Sequence, residues 1–319
     1  MGVFCACGGD NTNGNTGKSV SALQLKRPSC YIFMATTAND GTKNTILESD
    51  FSNGVLPELF IQQKINHIDP SKRWYIVQDL RSVTNERADP ERQSFDGGQN
   101  TVITAEGLRT VLATVVDANA RYKKNLDRLA CKYPLSFFEV DECGSLGGTE
   151  NPKDSTIFEP HAIAKKTFYA KLMKAQGSDS QTLQISFEYS DVEDDADEDI
   201  IPSNSLGVDL CKEDSLLNLL VSYSGIANTA FTATLNLEYG GFPSIVQSGL
   251  LVADFKLLDT VTGLPVSLTS VTESPKGTYA FVSDAMTAGN AMQLQIADDG
   301  TKYIKEGFEV QTKTFDAVA

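Results

Sequence analysis

The sequence predicts a mainly β protein built as two antiparallel β domains, a sandwich or barrel with one amphipathic helix followed by a second sandwich. Three observations carry that expectation. Apolar and polar residues alternate with a period of two in LQISFEY (Leu183, Ile185, Phe187, Tyr189), in FTATLNLEY (Phe231, Ala233, Leu235, Leu237, Tyr239) and in MQLQI (Met292, Leu294, Ile296), the pattern of half-buried strands. A single stretch, DANARYKKNLDRLACKYP, switches to helical spacing. The net charge of −15 is unevenly placed, since residues 1–150 carry 16 basic and 18 acidic side chains and residues 151–319 carry 11 and 24. Every arginine lies at or before Arg128. Composition therefore changes along a chain of 319 residues that is long enough for two ordinary cores.

Residues 1–28 read as a flexible Gly/Asn/Thr-rich arm. Within it TNGNTGKS, Thr12 to Ser19, departs from the phosphate-binding signature G-x-x-x-x-G-K-[ST] at its first position, where Thr12 replaces the glycine that turns the backbone toward the phosphates. A phosphate loop also joins a buried strand to a helix. Only seven residues, Met1 to Cys7, stand upstream, and Pro28 stops any helix begun at Val20. Nucleotide hydrolysis is not expected, and Lys18 is expected to meet solvent or a neighbouring subunit. No basic region precedes an apolar stretch, no apolar run approaches the ~18 residues of a membrane span, and Ala6 breaks the myristoylation pattern. A soluble chain with no signal peptide and no membrane insertion is the expectation. The six cysteines (Cys5, Cys7, Cys30, Cys131, Cys143, Cys211) include no C-x-x-C pair. They are read as free thiols of a reducing compartment.

Residues 29–190 form the first domain, with strands expected near Trp74–Leu80, Ser82–Arg87, Thr101–Val116, Ser136–Asp141, Ile163–Met173 and Thr182–Ser190. The helix is placed at 117–132. Ala118, Tyr122, Leu126, Leu129, Ala130 and Tyr133 make its apolar stripe, Asp117 is the expected N-cap and Pro134 closes it. Between two of the strands, NERADPERQSFDGGQN is too long and too charged for a tight hairpin. It is expected to be a long loop, either a solvated excursion or a contact surface carried by Glu86, Arg87, Asp89, Glu91 and Arg92.

The run DVEDDADED opens an acidic linker, residues 191–204. It lacks the D-x-[DN]-x-[DN]-G order of an EF-hand, so mutual repulsion rather than calcium is the expected reason for its composition. Residues 205–319 then show strand candidates at Leu216–Tyr223, Ala230–Tyr239, Leu250–Leu258, Pro265–Thr272, Thr278–Ser283, Ala291–Ala297 and Phe308–Thr314, separated by the turns DTVTG, SPKG and ADDG. Seven strands in about 110 residues suit an immunoglobulin-like sandwich. An antibody-type domain is excluded, because Cys211 is alone there and the one tryptophan is Trp74.

Catalytic signals are weak. His67 and His161 belong to no metal or triad motif, and both are read as structural. The paired carboxylates Asp141 and Glu142, with Glu139 beside them, are the groups to test for glycoside hydrolysis. The adjacent aromatics Phe137-Phe138, Trp74-Tyr75 and Phe168-Tyr169 point to opposite strand faces and form no stacking platform for nucleic acid. No catalytic residue, cofactor or metal is expected.

The order of elements over residues ~60–190, several strands, a long charged loop between two of them, one amphipathic helix and more strands, resembles the tail-tube fold of tailed bacteriophages and related contractile injection machines. The segment LLDTVTGLPVSLTSVTESPKGTYAFVSD resembles the Ig-like modules appended to phage virion proteins. That resemblance implies a non-enzymatic virion protein, assembled in the bacterial host cytoplasm into stacked, hexameric rings of itself. Its partners would be its own copies, other tail proteins, and phage DNA passing through without specific binding. The loop Asn85–Asn100 would reach the adjacent ring, and the arm would order on assembly. Other virion parts (neck, head-decoration or baseplate) and a carbohydrate-binding or carbohydrate-active protein are the alternatives.

Overall fold

The computed structural model describes residues 24–67, 69–95, 100–105, 107–116, 118–176, 180–190, 197–213, 216–238, 245–296, 304–305, 308–310 and 313–318. The arm with TNGNTGKS, Lys18, Cys5 and Cys7, and the acidic residues 191–196, lie outside the described residues. In chain order the elements up to residue 201 are β1 (Pro28–Ala35), β2 (Ile46–Leu47), α1 (Glu58–Ile65), β3 (Tyr75–Val77), β4 (Leu80–Arg87), β5 (Glu91–Phe95), β6 (Asn100–Ala105), β7 (Arg109–Val116), α2 (Ala120–Lys132), β8 (Leu135–Asp141), β9 (Leu146–Asn151), β10 (Asp154–Glu159), β11 (His161–Ala162), β12 (Tyr169–Met173), β13 (Thr182–Glu188) and β14 (Glu198–Ile201). The fold is mainly β and antiparallel, as the alternation predicts. Contacts divide the chain into two units, Met1–Glu58 with Ile76–Lys212, and Leu59–Tyr75 with Glu213–Ala319.

The first unit is a sandwich. One sheet runs β2-β10-β9-β8-β1-β3, with β11 also on β8 and β14 on β9; the other runs β12-β13-β7-β4. β1 and β8 lie side by side with Ile32 opposite Phe138 and Phe33 opposite Phe137, and Cys30–Ala35 and all of β8 are buried. Both strands are buried on both faces because each face has a cover. On one face Tyr31, Phe33 and Phe137 meet Phe187 of β13, with ring centroids 5.9, 5.7 and 4.8 Å away, so the two sheets join through aromatic edges. On the other, Phe138 stacks on Phe158 of β10 at 5.4 Å. The neighbouring phenylalanines thus serve opposite faces, as period-two geometry requires. In the second sheet Val111, Ala113 and Val115 of β7 pair with Phe187, Ile185 and Leu183 of β13, and all six are buried.

Helix α2 packs along β12 with Leu126 and Leu129 buried, and Tyr133 is buried just beyond its end. Its start differs from the expectation. Asn119, not Asp117, caps it, its side chain accepting from the N–H groups of Arg121 and Tyr122 at 3.0 and 2.9 Å. There is also a second helix, α1, which the single-helix expectation omits; its buried residues are only Ile61 and Ile65, four apart.

Three further expectations are corrected. The acidic linker does not stay in solvent to residue 204: β14 joins the first sheet with Ile200 and Ile201 opposite Gly147 and Leu146 of β9, because two isoleucines at the end of the run gain a buried edge. Residues 203–212 continue on the first unit, where Leu206 and Leu210 are buried, so the sequence boundary at residue 205 falls inside that unit. The reading of all cysteines as free thiols also fails. Cys30 and Cys211 form a disulfide with Cα atoms 5.7 Å apart, a spacing within the range of such bonds. The last arm residues are docked as well: Leu25 lies against Gly147 where a Cβ would meet it at 2.3 Å, and the Lys26 N–H donates to Asp141 Oδ2 at 3.1 Å.

The second unit carries β15 (Leu217–Ala227), β16 (Ala230–Leu237), β17 (Phe255–Asp259), β18 (Pro265–Val266), β19 (Leu268–Glu273), β20 (Thr278–Ser283), β21 (Ala291–Ile296), β22 (Ile304–Lys305), β23 (Phe308–Val310) and β24 (Thr314–Asp316). One sheet is β19-β20-β16-β15-β23-β22 and the other β18-β17-β21-β24. In immunoglobulin lettering the first contains the order D-E-B-A and the second is C′-C-F-G, with β23 running parallel to β15. Its core is aromatic: Phe231 stacks on Phe281 at 4.7 Å, and Phe255 meets Phe281 edge-on at 4.9 Å. Tyr223 ties the sheets together, its hydroxyl accepting from the Leu294 N–H at 3.2 Å and donating to the Lys313 carbonyl at 3.1 Å. The inserted piece Leu59–Tyr75 is held in this unit by Arg73, which makes two bonds to Glu309 at 2.7 and 3.1 Å.

Candidate assembly surface

Charged residues alone did not suggest a strand pair at residues 85–100, yet one is there. β4 pairs with β7 from Leu80 opposite Val115 to Arg87 opposite Arg109. Beyond Arg87 the chain re-forms a ladder as β5 with β6: Arg92 faces Ile103, Gln93 faces Val102 and Ser94 faces Thr101. Between the two ladders the Ala88 N–H donates to the Leu108 carbonyl at 2.9 Å. Opposite it Gly107 comes so close that a Cβ would stand 1.8 Å from the Ala88 oxygen. Only a glycine fits that pinch. The expected long loop is therefore one extended hairpin, a stem within the sandwich and a two-stranded ribbon beyond it.

The ribbon has no core of its own. Residues 91–94 and 101–104 are exposed. Val102 and Ile103, on opposite faces, are 53% and 36% exposed, and Leu108 at its base is 50% exposed. An isolated ribbon of this kind is marginal in water and presents unpaired backbone along its edges. Of the residues singled out in the sequence, Glu86 and Arg87 end β4, Asp89 lies in the pinch, and Glu91 and Arg92 open β5. All five fall on this one hairpin; Glu86, Asp89, Glu91 and Arg92 are exposed and Arg87 is half-buried. Val102, Ile103 and Leu108 were missed, because residues 101–116 read as a single core strand. The signal was Gly107, which splits that run. The second sheet also ends in two edge strands, β4 and β12, and β12 exposes Tyr169 and Met173.

A polar cluster, buried at Glu139, His161 and Tyr189 and open to solvent at Glu198, lies at the root of the hairpin. Asn85 of β4 donates to the Tyr189 hydroxyl at 3.3 Å. Arg109 of β7 lies over the Tyr189 ring at 5.4 Å and bonds Glu198 at 3.0 Å. His161 packs its ring 5.4 Å from Phe137 and 5.1 Å from Tyr189. Glu139 completes the group: burial pushes its carboxyl up to about 6, Glu198 and Asp141 add to the rise, and His161 and Arg109 oppose it. Burial also raises the phenols of Tyr31 and Tyr189, with Glu139 adding to both shifts. Two of the three carboxylates considered for glycoside hydrolysis, Glu139 and Asp141, have different surroundings. Glu139 is 7% exposed and faces the aromatic core. Asp141 shapes a turn, its Oδ1 accepting from the N–H groups of Cys143 and Ser145 at 2.9 and 2.8 Å. His67 is in the second unit, its Nδ1 accepting from the Asp69 N–H at 3.0 Å.

No known protein family matches the chain in sequence, and no curated protein matches it. Among the described residues no helix is long and apolar enough to cross a membrane, and no group of three or more His, Cys, Asp or Glu side chains is placed to hold a metal ion.

Proposed function

We propose that the chain is a virion structural protein that self-assembles into stacked rings, the tube through which a tailed phage passes its genome. The observation that carries this reading is the extended hairpin, which leaves its own sandwich with apolar side chains exposed on both faces and backbone edges open. Such a ribbon is stabilised by a second surface. In a stack, that surface is a neighbouring subunit, and Glu86, Arg87, Asp89, Glu91 and Arg92 set the register by charge. The edge strands β4 and β12 offer lateral pairing within a ring, which removes exposed edges. The immunoglobulin-like unit decorates the outside, other tail proteins cap the tube, and DNA passes without specific binding.

Negative-stain imaging of the purified full chain, with sedimentation over a concentration series, tests the proposal. Rings and tubes of variable length are expected. Closed particles that never stack would move the reading to a neck, head-decoration or baseplate part. A monomer at every concentration would overturn self-assembly. Turnover on a glycan panel, lost in Glu139→Gln or Asp141→Asn, would overturn the non-enzymatic reading.

A further inference from the structure

A cleft of roughly 860 Å³ in the first unit is lined by Arg27, Ser29, Arg81, Cys143, Cys211 and Lys212 among others. Its lining includes both a free thiol and one half of a disulfide. Cys143 is exposed and unpaired, whereas Cys211 is bonded to Cys30. The two are tied through one side chain: the Ser29 hydroxyl donates to the Asp141 carbonyl and lies 3.1 Å from the Cys211 sulfur, and Asp141 in turn holds the Cys143 N–H through Oδ1. The turn carrying Cys143 lies against the segment carrying Cys211, since a Cβ on Gly144 would stand 3.5 Å from Ser203 Cβ. Lys26 Nζ donates to the Cys143 sulfur at 3.2 Å, and thiols that react as nucleophiles sit beside a cation in partly exposed sites.

We propose that this cleft is a thiol–disulfide exchange site in which Cys143 attacks the Cys30–Cys211 bond. The Cys143 sulfur, having given its proton to water in the cleft, forms a bond to the Cys211 sulfur. The Cys30–Cys211 bond breaks, its electron pair goes to the Cys30 sulfur, and Cys30 is then protonated. One thiol and one disulfide are consumed and one of each is formed, so no outside oxidant or reductant is needed. Attack falls on Cys211 because it lines the cleft, whereas Cys30 is 0% exposed within β1. The exchange moves the tether of residues 203–212 from β1 to the turn after β8.

The test uses the full chain with Cys5→Ser and Cys7→Ser, so that thiols of the arm do not compete. It is held under native conditions at mildly alkaline pH, quenched with acid, alkylated, and mapped by non-reducing peptide mass spectrometry. Peptides joining Cys143 to Cys211, with Cys30 alkylated, are expected to accumulate with time and to vanish in Cys143→Ser. Cys131, the other exposed thiol among the described residues, is the internal control and should form no bond to Cys211. Lys26→Met should slow the appearance of the new linkage several-fold. The proposal is overturned if Cys30–Cys211 stays the sole linkage, if Cys131 is joined as often as Cys143, or if Cys30 and Cys211 prove to be reduced.

Discussion

Glu139 allows a quantitative test of the buried cluster. Replacing it with Gln keeps the shape and removes the titration. The wild-type carboxyl rises from 4.5 to about 6 on folding. Because the folded value exceeds the unfolded one, its contribution to stability is fully present below the unfolded value and is lost as pH climbs through the folded one. A rise of about 1.5 units corresponds to about 2 kcal/mol of destabilisation once the group is ionised. Glu139→Gln should therefore gain about 2 kcal/mol relative to wild type in going from about pH 4 to about pH 8, with the change centred between the two values. Trp74, the only tryptophan, belongs to the second unit, so its fluorescence reports the wrong core. Hydrogen exchange followed on peptides covering β7 and β13 is the suitable assay. A stability difference independent of pH, or one that grows toward acid, would refute the reasoning and leave His161 and Arg109 as full compensation for the buried charge.

Other perturbations separate assembly from folding. Gly107→Val puts side-chain carbon where the Ala88 oxygen already stands at 1.8 Å from a Cβ; it should displace the ribbon and abolish stacking while the far-ultraviolet circular dichroism stays that of a folded chain. Val102→Asp with Ile103→Asp changes only exposed positions, so unfolding stability should move by less than about 0.5 kcal/mol per site, whereas sedimentation should shift from assemblies to single subunits. Arg73 is 5% exposed, and Arg73→Ala should cost the second unit about 3 kcal/mol by leaving Glu309 without its partner, read from the loss of the Trp74 fluorescence transition at lower urea.

How far the sequence was legible depends on how local the physics is. Where one face of a strand is buried and the other wet, alternation marks it closely: Thr278–Ser283 is the same in expectation and structure, and β13 differs from Thr182–Ser190 only at its end. β5 was illegible because neither face of the ribbon is buried, so its residues carry the composition of a loop, whereas β6 was read as the start of the strand Thr101–Val116. Helix α1 was missed because two buried isoleucines in eight residues make no stripe. β14 hid behind its own carboxylates. The disulfide was missed because 181 residues separate its cysteines, and no pattern in sequence reports a distance closed by tertiary structure. The same holds for the candidate site. Glu86, Arg87, Asp89, Glu91 and Arg92 are contiguous and were found together, whereas Glu139, His161, Arg109 and Glu198 come from four separate strands.

The insertion of Leu59–Tyr75 among the partners of residues 213–319 has a consequence in time as well as space. Arg73 and Glu309 are 236 residues apart, and a ribosome adding about 5–20 residues per second leaves the earlier piece without its partner for roughly 12–47 s. Through that interval Trp74 and the apolar side of α1 are on a nascent chain whose completing strands have not been made. The immunoglobulin-like unit is thus a module that cannot be completed until the strands beyond residue 213 have been made, and a chain released from a ribosome stalled near residue 212 would carry that early segment without them.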